Sequence, residues 1–183
     1  MNPTQKLLFD YAQLELAKHF EGNTDKKYGK IYKLTEDNGK ILYIGCTFND
    51  LDTRLEFHKK TINKNSFKDD NNKFVKHMRN IQKIDGEFNM KIECIYEREF
   101  NSRLDIELTE DYYICLHNTI NNGLNSKLNT TPGIIIFNNN KPFEEQYKLI
   151  STWINDHYIK TVNFRKFLTE NKTLHTNLCQ LDD

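Results

Sequence analysis

Two tyrosines lie on either side of the strongest turn signal in the chain, the dipeptide Asn38-Gly39. An Asn-Gly pair between apolar segments predicts a β-hairpin with a two-residue loop. Counting inward from that loop pairs Leu34 with Tyr43 and Tyr32 with Gly45, and directly paired residues share one face of a sheet. The spacing therefore predicts that Tyr32 and Tyr43 are diagonal neighbours on one face, where they can either pack or take part in catalysis.

Arg54 and His58 are four residues apart, so a helix brings them to the same side. They border an apolar stripe of Leu51, Leu55 and Ile62, which places them at the edge of the core. An arginine there can hold a phosphate through two parallel hydrogen bonds, and a histidine can transfer a proton near neutral pH. The alternative is an exposed arginine and a surface histidine.

A carboxylate interrupts another apolar stripe. Glu110 follows Ile106 by four residues, precedes Ile114 by four and lies near Tyr113. A buried carboxylate without a partner is costly, and a hard cation such as Mg²⁺ takes oxygen ligands while keeping several of its waters. We therefore consider Glu110 a candidate metal ligand, the alternative being a hydrogen bond to a tyrosine or lysine.

Hydrophobic periodicity, caps and turn residues predict the elements that hold these side chains. The predicted helices are Thr4–Phe20, a segment beginning near Asn49 or Asp50, Phe74–Ile81 with its end at Gly86, and Leu104–His117. The predicted strands are Ile31–Thr35, Lys40–Gly45 and Phe88–Tyr96, and the predicted loops are Asn63–Asn72 and Asn118–Asn129. After Pro132 the pattern predicts a strand-like segment at Gly133–Phe137, a turn at Asn138–Pro142, and helices at Phe143–Tyr158 and Asn163–Thr169.

The order of elements predicts an α/β fold, with a small three-stranded, mainly antiparallel sheet flanked by helices. A chain of 183 residues accommodates one such domain and an appendage. We expect an N-terminal helix packed on the core in residues 1–25, the core domain in residues 26–130, and a mainly helical C-terminal extension in residues 131–183.

Several of these motifs together resemble the GIY-YIG nuclease domain. The resemblance rests on the run KIYKLTEDNGKILYIGCT, then on Leu51, Arg54 and His58, and then on the run TEDYYICLHNTINNGLN, and covers about residues 29–127. Tyr32 belongs to the first tripeptide and Tyr43 to the second, and Asn125 matches the asparagine that closes the last core motif. One position departs from the pattern, because Lys30 stands where the family has the first glycine.

The resemblance implies hydrolysis of DNA phosphodiester bonds with one divalent ion, Mg²⁺ or in its place Mn²⁺, giving a 5′ phosphate and a 3′ hydroxyl. In that mechanism Glu110 binds the metal, and Tyr32 is the general base, with His58 as the acceptor of its proton. Tyr43 and Arg54 orient the water and the phosphate, and Asn125 braces the site. The implied catalytic set is thus Tyr32, Tyr43, Arg54, His58, Glu110 and Asn125.

The distribution of charge agrees with a DNA partner, although the formal net charge is zero. Between Arg54 and Lys83 nine basic residues oppose three acidic ones, an excess of six positive charges. The residues expected to contact DNA are Arg54, Lys59, Lys60, Lys64, Lys73 and Lys76. A lysine-rich, solvated helix is the alternative that charge alone leaves open.

The four cysteines, Cys46, Cys94, Cys115 and Cys179, are widely spaced and form no zinc motif, so we expect reduced thiols. No apolar run is long enough to cross a bilayer, and no secretion signal is recognisable. We therefore expect an intracellular protein, in the cytoplasm or nucleus, with no membrane partner. Two other functions stay open: a nucleic-acid-binding module with an inactive nuclease-like site, and a protein-interaction domain.

Overall fold

A three-stranded antiparallel sheet in the order β2-β1-β3 organises the part of the chain that the structure describes. That structure is a computed structural model, and it describes residues 1–21, 25–36, 39–63, 72–85, 90–138 and 140–158. The strands are β1 (Lys27–Thr35), β2 (Ile41–Thr47) and β3 (Lys91–Phe100). The helices are α1 (Pro3–Lys18), α2 (Leu51–Asn63), α3 (Lys73–Asp85), α4 (Arg103–Leu116), α5 (Thr119–Asn122), α6 (Thr131–Asn138) and α7 (143–158). The predicted α/β fold class is confirmed.

The hairpin of β1 and β2 has the predicted register near the tyrosines. Tyr32 pairs with Gly45 and Leu34 with Tyr43. The register shifts by one residue closer to the turn, where Thr35 pairs with Ile41 and the Glu36 amide donates to the Lys40 carbonyl at 3.1 Å. The prediction of a two-residue loop is therefore wrong, and the shift between Leu34 and Thr35 restores the predicted pairing at the tyrosines. Because the shift lies outside the tyrosine positions, both phenols stay on the same side of the sheet.

Helices cover both faces of the sheet. The face that carries Tyr32 and Leu34, here called the tyrosine face, packs against Ile62 of α2 and against Phe74 and Met78 of α3. The opposite face carries alternate residues of the same strands. Its side chains Ile31, Ile44 and Cys46 pack against Ile106 and Ile114 of α4.

An outer layer of helices packs on the far side of α4. Leu108 of α4 lies in one apolar cluster with residues of α1, α6 and α7. The buried members from these three helices are Leu8, Phe9, Ala12, Leu16, Ile135, Ile136, Ile150 and Ile154. The N-terminal and C-terminal segments therefore share one core, although the predicted domain boundaries themselves stay a prediction.

The prediction of a strand-like segment at Gly133–Phe137 is wrong, since these residues belong to α6. Thr130 caps this helix: its hydroxyl accepts a hydrogen bond from the Gly133 amide at 2.9 Å, and its carbonyl accepts one from Ile134 at 3.0 Å. Pro132 in the first turn has no amide to satisfy there. The cap and the proline were readable in the sequence, but a short apolar run alone does not separate strand from helix.

Smaller differences concern the ends of elements. The predicted loop Asn118–Asn129 contains the single-turn helix α5, which follows Asn118 in a left-handed conformation with φ of 51°. Strand β1 begins at Lys27 rather than Ile31, because its polar first half pairs with the second half of β3. Part of the predicted loop Asn63–Asn72, the start of the third predicted strand and the predicted helix at Asn163–Thr169 lie outside the described residues.

Buried Asp111 joins α4 to the cap of α6. Its carboxylate accepts hydrogen bonds from the backbone amides of Asn129 at 2.6 Å and Thr130 at 2.9 Å, and from the Thr130 hydroxyl at 2.7 Å. Burial raises the pKa of this carboxyl to about 6. Three donors thus depend on one side chain, and two of them belong to buried Thr130.

We expect Asp111→Ala to lower the free energy of unfolding by roughly 2 to 4 kcal/mol, since it leaves buried donors unpaired. Urea denaturation measures the loss. The control is Asp10→Ala, which removes an exposed ion pair with Lys6 and should cost at most about 1 kcal/mol. Equal losses from the two variants would contradict this role of Asp111.

Candidate active site

The two phenols meet beside a glycine. The ring centroids of Tyr32 and Tyr43 are 6.4 Å apart. A Cβ at Gly45 would collide with the Tyr32 hydroxyl and would also press on the Tyr43 ring. Glycine at this position therefore lets the Tyr32 ring lie across strand β2, and this packing explains why the motif needs a residue without a side chain.

Helix α2 brings Arg54 and His58 to the Tyr32 hydroxyl, as the four-residue spacing predicts. The Arg54 Nε–H donates to Tyr32 Oη at 2.9 Å. The His58 Nε2 atom lies 2.8 Å from the same oxygen. Because arginine is only a donor, the Tyr32 hydroxyl keeps its own proton for His58, provided that His58 Nε2 is unprotonated.

Burial keeps the His58 imidazole neutral, and in the tautomer that carries its proton on Nδ1 the Nε2 atom accepts from Tyr32. The side chain is buried, and desolvation, with a smaller contribution from the Arg54 charge, lowers the pKa of His58 to about 3. Desolvation raises the pKa of Tyr32, and the neighbouring Arg54 opposes that rise. At neutral pH the geometry is therefore a neutral phenol that accepts from a cation and donates to a neutral imidazole.

Phe74 of α3 closes this cluster on the tyrosine face. Its ring centroid lies 4.9 Å from that of Tyr43 and 5.1 Å from that of His58. The sequence placed Phe74 correctly on a helix, but nothing in the pattern indicated that it would contact the candidate site. Tyr43 and Arg54 stay partly exposed, whereas Tyr32 and His58 lie behind them.

Asn125 completes the free edge of β2 next to the tyrosines. Its Oδ1 accepts from the Ile44 amide and its Nδ2 donates to the Ile44 carbonyl, each at 2.9 Å. The preceding Leu124 amide donates to the Leu42 carbonyl at 2.7 Å. The buried carboxamide thus replaces a neighbouring strand at Ile44 and holds the backbone between Tyr43 and Gly45.

Glu110 lies on the other side of the sheet. It projects from α4 between Ile106 and Ile114, which pack against the opposite face. The alternation of strand β2 points Gly45 toward the phenols and Cys46 toward α4. That Glu110 and the phenols act at one site therefore stays a prediction.

The environment of Glu110 nevertheless couples it to the tyrosine pair. Its carboxylate accepts hydrogen bonds from the Cys46 thiol and the Asn129 side chain, yet burial still raises its pKa to about 7. The negative charge of ionised Glu110 adds to the effect of burial and raises the pKa of Tyr32 and of Tyr43. Cys46 and Asn129 are contacts that the sequence did not reveal, because they depend on how α4 packs.

A family model supplies the identification. The model of the GIY-YIG catalytic domain matches residues 27–125, more than half of the 183-residue chain. The chain belongs to the GIY-YIG family. GIY-YIG domains are nuclease domains that act on DNA and generally need a divalent metal, so the general class is a nuclease. No curated protein and no solved structure gives a significant match.

The described basic residues that we expect to contact DNA lie on α2 and α3, the helices that pack on the tyrosine face. Lys59 forms an ion pair with Glu56 at 2.7 Å, and the Lys73 ammonium donates to the Ile120 carbonyl at 3.3 Å. The residues expected to contact DNA are placed on α2 (Arg54, Lys59, Lys60) and on α3 (Lys73, Lys76), and Lys64 lies outside the described residues. The two helices that carry these five basic residues therefore pack on the same side of the sheet as the phenols.

Within the described ranges, no group of three or more histidine, cysteine, aspartate or glutamate side chains is arranged to hold a metal ion. No helix in the described part of the chain has both the length and the apolar character needed to span a membrane.

We expect Asn125→Ala to lower the free energy of unfolding by roughly 2 to 4 kcal/mol, because it leaves the buried Ile44 amide and carbonyl unpaired. Amide hydrogen exchange at Ile44 should accelerate with it. Asn121→Ala is the matched control, since Asn121 is exposed and its side chain donates to the Asn118 side chain at 2.7 Å. Unchanged exchange at Ile44 in Asn125→Ala would argue against the edge-closing role.

The buried, neutral His58 predicts a specific dependence of stability on pH. Its pKa is about 3 in the folded chain and about 6.5 when unfolded. The unfolded chain binds the extra proton, so stability that is present above pH 6.5 is lost as the pH falls toward 3. We expect the difference in unfolding free energy between the native chain and His58→Gln to shrink by about 1 kcal/mol per pH unit below that point. A difference that stays constant from pH 7.5 to 4.5 would contradict a buried neutral imidazole.

Proposed function

We propose that this protein is a metal-dependent DNA endonuclease in which Tyr32 is the general base and Glu110 binds a divalent ion. The observation that carries the proposal is the Tyr32 hydroxyl, held between the Arg54 guanidinium and the neutral His58 imidazole. An arrangement made only for packing does not need a buried phenol with a cation on one side and a proton acceptor on the other.

The proton steps follow from these contacts. The Tyr32 hydroxyl passes its proton to His58 Nε2 in the same step in which the Tyr32 oxygen takes a proton from the attacking water, so no free phenolate accumulates, and the hydrogen bond from Arg54 stabilises the charge that develops on that oxygen. The hydroxide formed in this way attacks phosphorus, the P–O3′ bond breaks, and the 3′ oxygen leaves as an alkoxide that takes a proton from solvent to become the 3′ hydroxyl. Tyr43 and Arg54 are the partly exposed members of the cluster, so they meet the phosphate and position it.

Glu110 fits a divalent cation. Its carboxylate is buried, and its pKa near 7 reflects a charge that the surrounding protein compensates poorly. A cation at Glu110 would provide that compensation, and Mg²⁺ suits a site with one protein carboxylate because it keeps several waters and uses substrate phosphates. When bound, such an ion neutralises the phosphate and eases departure of the 3′ oxygen. Mn²⁺ has the same preference for oxygen ligands.

The basic side chains of α2 and α3 are proposed to hold the DNA backbone around the scissile phosphate. Contacts from lysine to phosphate give affinity that depends on salt, without reading the sequence. Lys59, Lys60, Lys73 and Lys76 thus orient the duplex in this proposal, whereas Arg54 acts at the reacting phosphate. The intracellular setting of such an enzyme stays a prediction.

Two observations favour a second function. Tyr32 is fully buried, and Glu110 is hydrogen-bonded on the opposite face, as in a site that supports structure rather than reaction. On that basis the alternative is a DNA-binding module with an inactive nuclease-like site. The two proposals differ in whether bound DNA is cut.

Nicking of a supercoiled plasmid with and without Mg²⁺ tests the proposal. We expect Tyr32→Phe to slow nicking by roughly 100-fold or more, the scale of a lost general base, and Glu110→Ala to abolish the response to Mg²⁺. Matched controls are Tyr28→Phe on the same strand and Glu107→Ala on the same helix, which should both nick at the native rate. Each control replaces the same type of residue as the variant with which it is compared, a tyrosine for Tyr32 and a glutamate for Glu110.

The result also decides between the two functions. Mg²⁺-independent binding without nicking by the native chain would overturn the endonuclease and favour the binding module. Nicking that survives Tyr32→Phe would leave the nuclease class intact but remove Tyr32 as the base.

A further inference from the structure

One exposed aromatic ring contacts the same arginine side chain as the Tyr32 ring of the candidate site. Phe57 lies on α2, three residues after Arg54, and 58% of its surface is exposed. The Arg54 guanidinium carbon is 5.3 Å from the Phe57 ring centroid and 5.8 Å from the Tyr32 ring centroid. The same guanidinium therefore joins the buried phenol to an apolar ring in solvent.

Packing does not account for Phe57. The buried side of α2 carries His58 and Ile62, with Leu51 and Leu55 partly buried against the same cluster. Phe57 belongs to none of the apolar clusters in the described part of the chain. A large ring at this position thus has a free face directly beside the residue that is proposed to hold the phosphate.

A nucleobase fits this juxtaposition. An aromatic side chain offers a stacking surface that accepts any base, while the adjacent cation holds the backbone. The bases of an intact duplex have their faces covered by their neighbours, so only an unpaired base that leaves the stack can reach the ring. Phenylalanine has no hydrogen-bonding group, and the contact therefore selects for an unstacked base rather than for a sequence.

We propose that Phe57 stacks on an unpaired base next to the phosphate held by Arg54, so that DNA with unpaired nucleotides at that position is the preferred substrate class. This inference rests on the proposed function, because it takes DNA as the substrate of the tyrosine cluster. It deepens that function by assigning a specificity-determining residue to the exposed side of α2.

A second exposed ring on the same face gives an internal comparison. Tyr28 is 52% exposed, and the Lys30 ammonium lies 5.5 Å from its ring centroid. Its hydroxyl, however, is hydrogen-bonded to the Glu97 carboxylate, which raises the pKa of Tyr28. A carboxylate at that ring repels a nucleic-acid backbone, and Tyr28 is therefore expected not to contribute.

Binding without cleavage tests the proposal. The probes are two fluorescein-labelled DNA duplexes that are identical except that one contains a three-nucleotide bulge. Fluorescence anisotropy, measured in EDTA to prevent cleavage, gives the dissociation constant for each duplex. We expect the native chain to bind the bulged DNA more tightly. Phe57→Ala should lose roughly five- to 100-fold in affinity for the bulged DNA, with little change for the duplex. Phe57→Trp should keep the preference, and Tyr28→Ala should behave like the native chain.

A base analogue reports the contact directly. With 2-aminopurine in the bulge, stacking on Phe57 should quench its fluorescence in the complex, and Phe57→Ala should restore it. Equal affinity of the native chain for the bulged and the unbulged DNA overturns the proposal. So does a Phe57→Ala variant that loses the same affinity for both DNAs, or that loses no affinity for either. Because these assays need no cleavage, a failed nicking assay overturns the endonuclease while the Phe57 assignment is decided separately.

Discussion

The site depends on the pairing of Tyr32 with Gly45 across the hairpin. That register lets the Tyr32 ring occupy the space in which any other residue at position 45 would place a Cβ. The hydroxyl then reaches α2 and forms its contacts with Arg54 and His58. A slip of one residue would point Tyr32 toward α4 and dissolve the cluster. Asn125, which closes the edge of β2 beside this pair, resists such a slip.

Burial around that pair favours uncharged forms. It keeps the pKa of His58 far below the neutral range, holds the pKa of Glu110 near 7 and raises the pKa of both phenols. The pKa values of such buried groups respond strongly to an added charge, because surroundings of low dielectric constant screen electrostatic interactions only weakly. A phosphate at Arg54 and a cation at Glu110 would thus change the protonation of the site when substrate binds. This electrostatic condition fits a nuclease whose reactive state forms only with its substrate.

Helix α4 links the site to the outer helices. One side of it carries Glu110 with Ile106 and Ile114 against the sheet, and the other side carries Leu108 in the cluster of α1, α6 and α7. Asp111, the residue after Glu110, fixes the cap of α6. The segments that flank the matched domain therefore support the helix that carries the candidate metal ligand, whatever further role they have.

The sequence by itself determined the features that depend on near neighbours in the chain. The Asn-Gly signal correctly predicted the hairpin, and strand alternation correctly predicted that Tyr32 and Tyr43 share a face, but the two-residue loop was wrong and a register shift restores the pairing of Tyr32 with Gly45. Helical spacing was enough to bring Arg54 and His58 together. The motifs also predicted the family, which the family model confirms. The error at Gly133–Phe137 arose because a short apolar run carries no period long enough to distinguish strand from helix.

Only the tertiary structure decided which helix covers which face of the sheet. That choice put Glu110 behind Cys46, brought Phe74 over Tyr43, and buried His58 deeply enough to keep it neutral. The roles of the six candidate residues stay predictions, although four of them meet and Asn125 braces the same strand. Periodicity tells which side of an element is apolar, but the partner of that side is chosen by contacts between residues far apart in the chain, and burial, with the pKa values it sets, follows from those contacts.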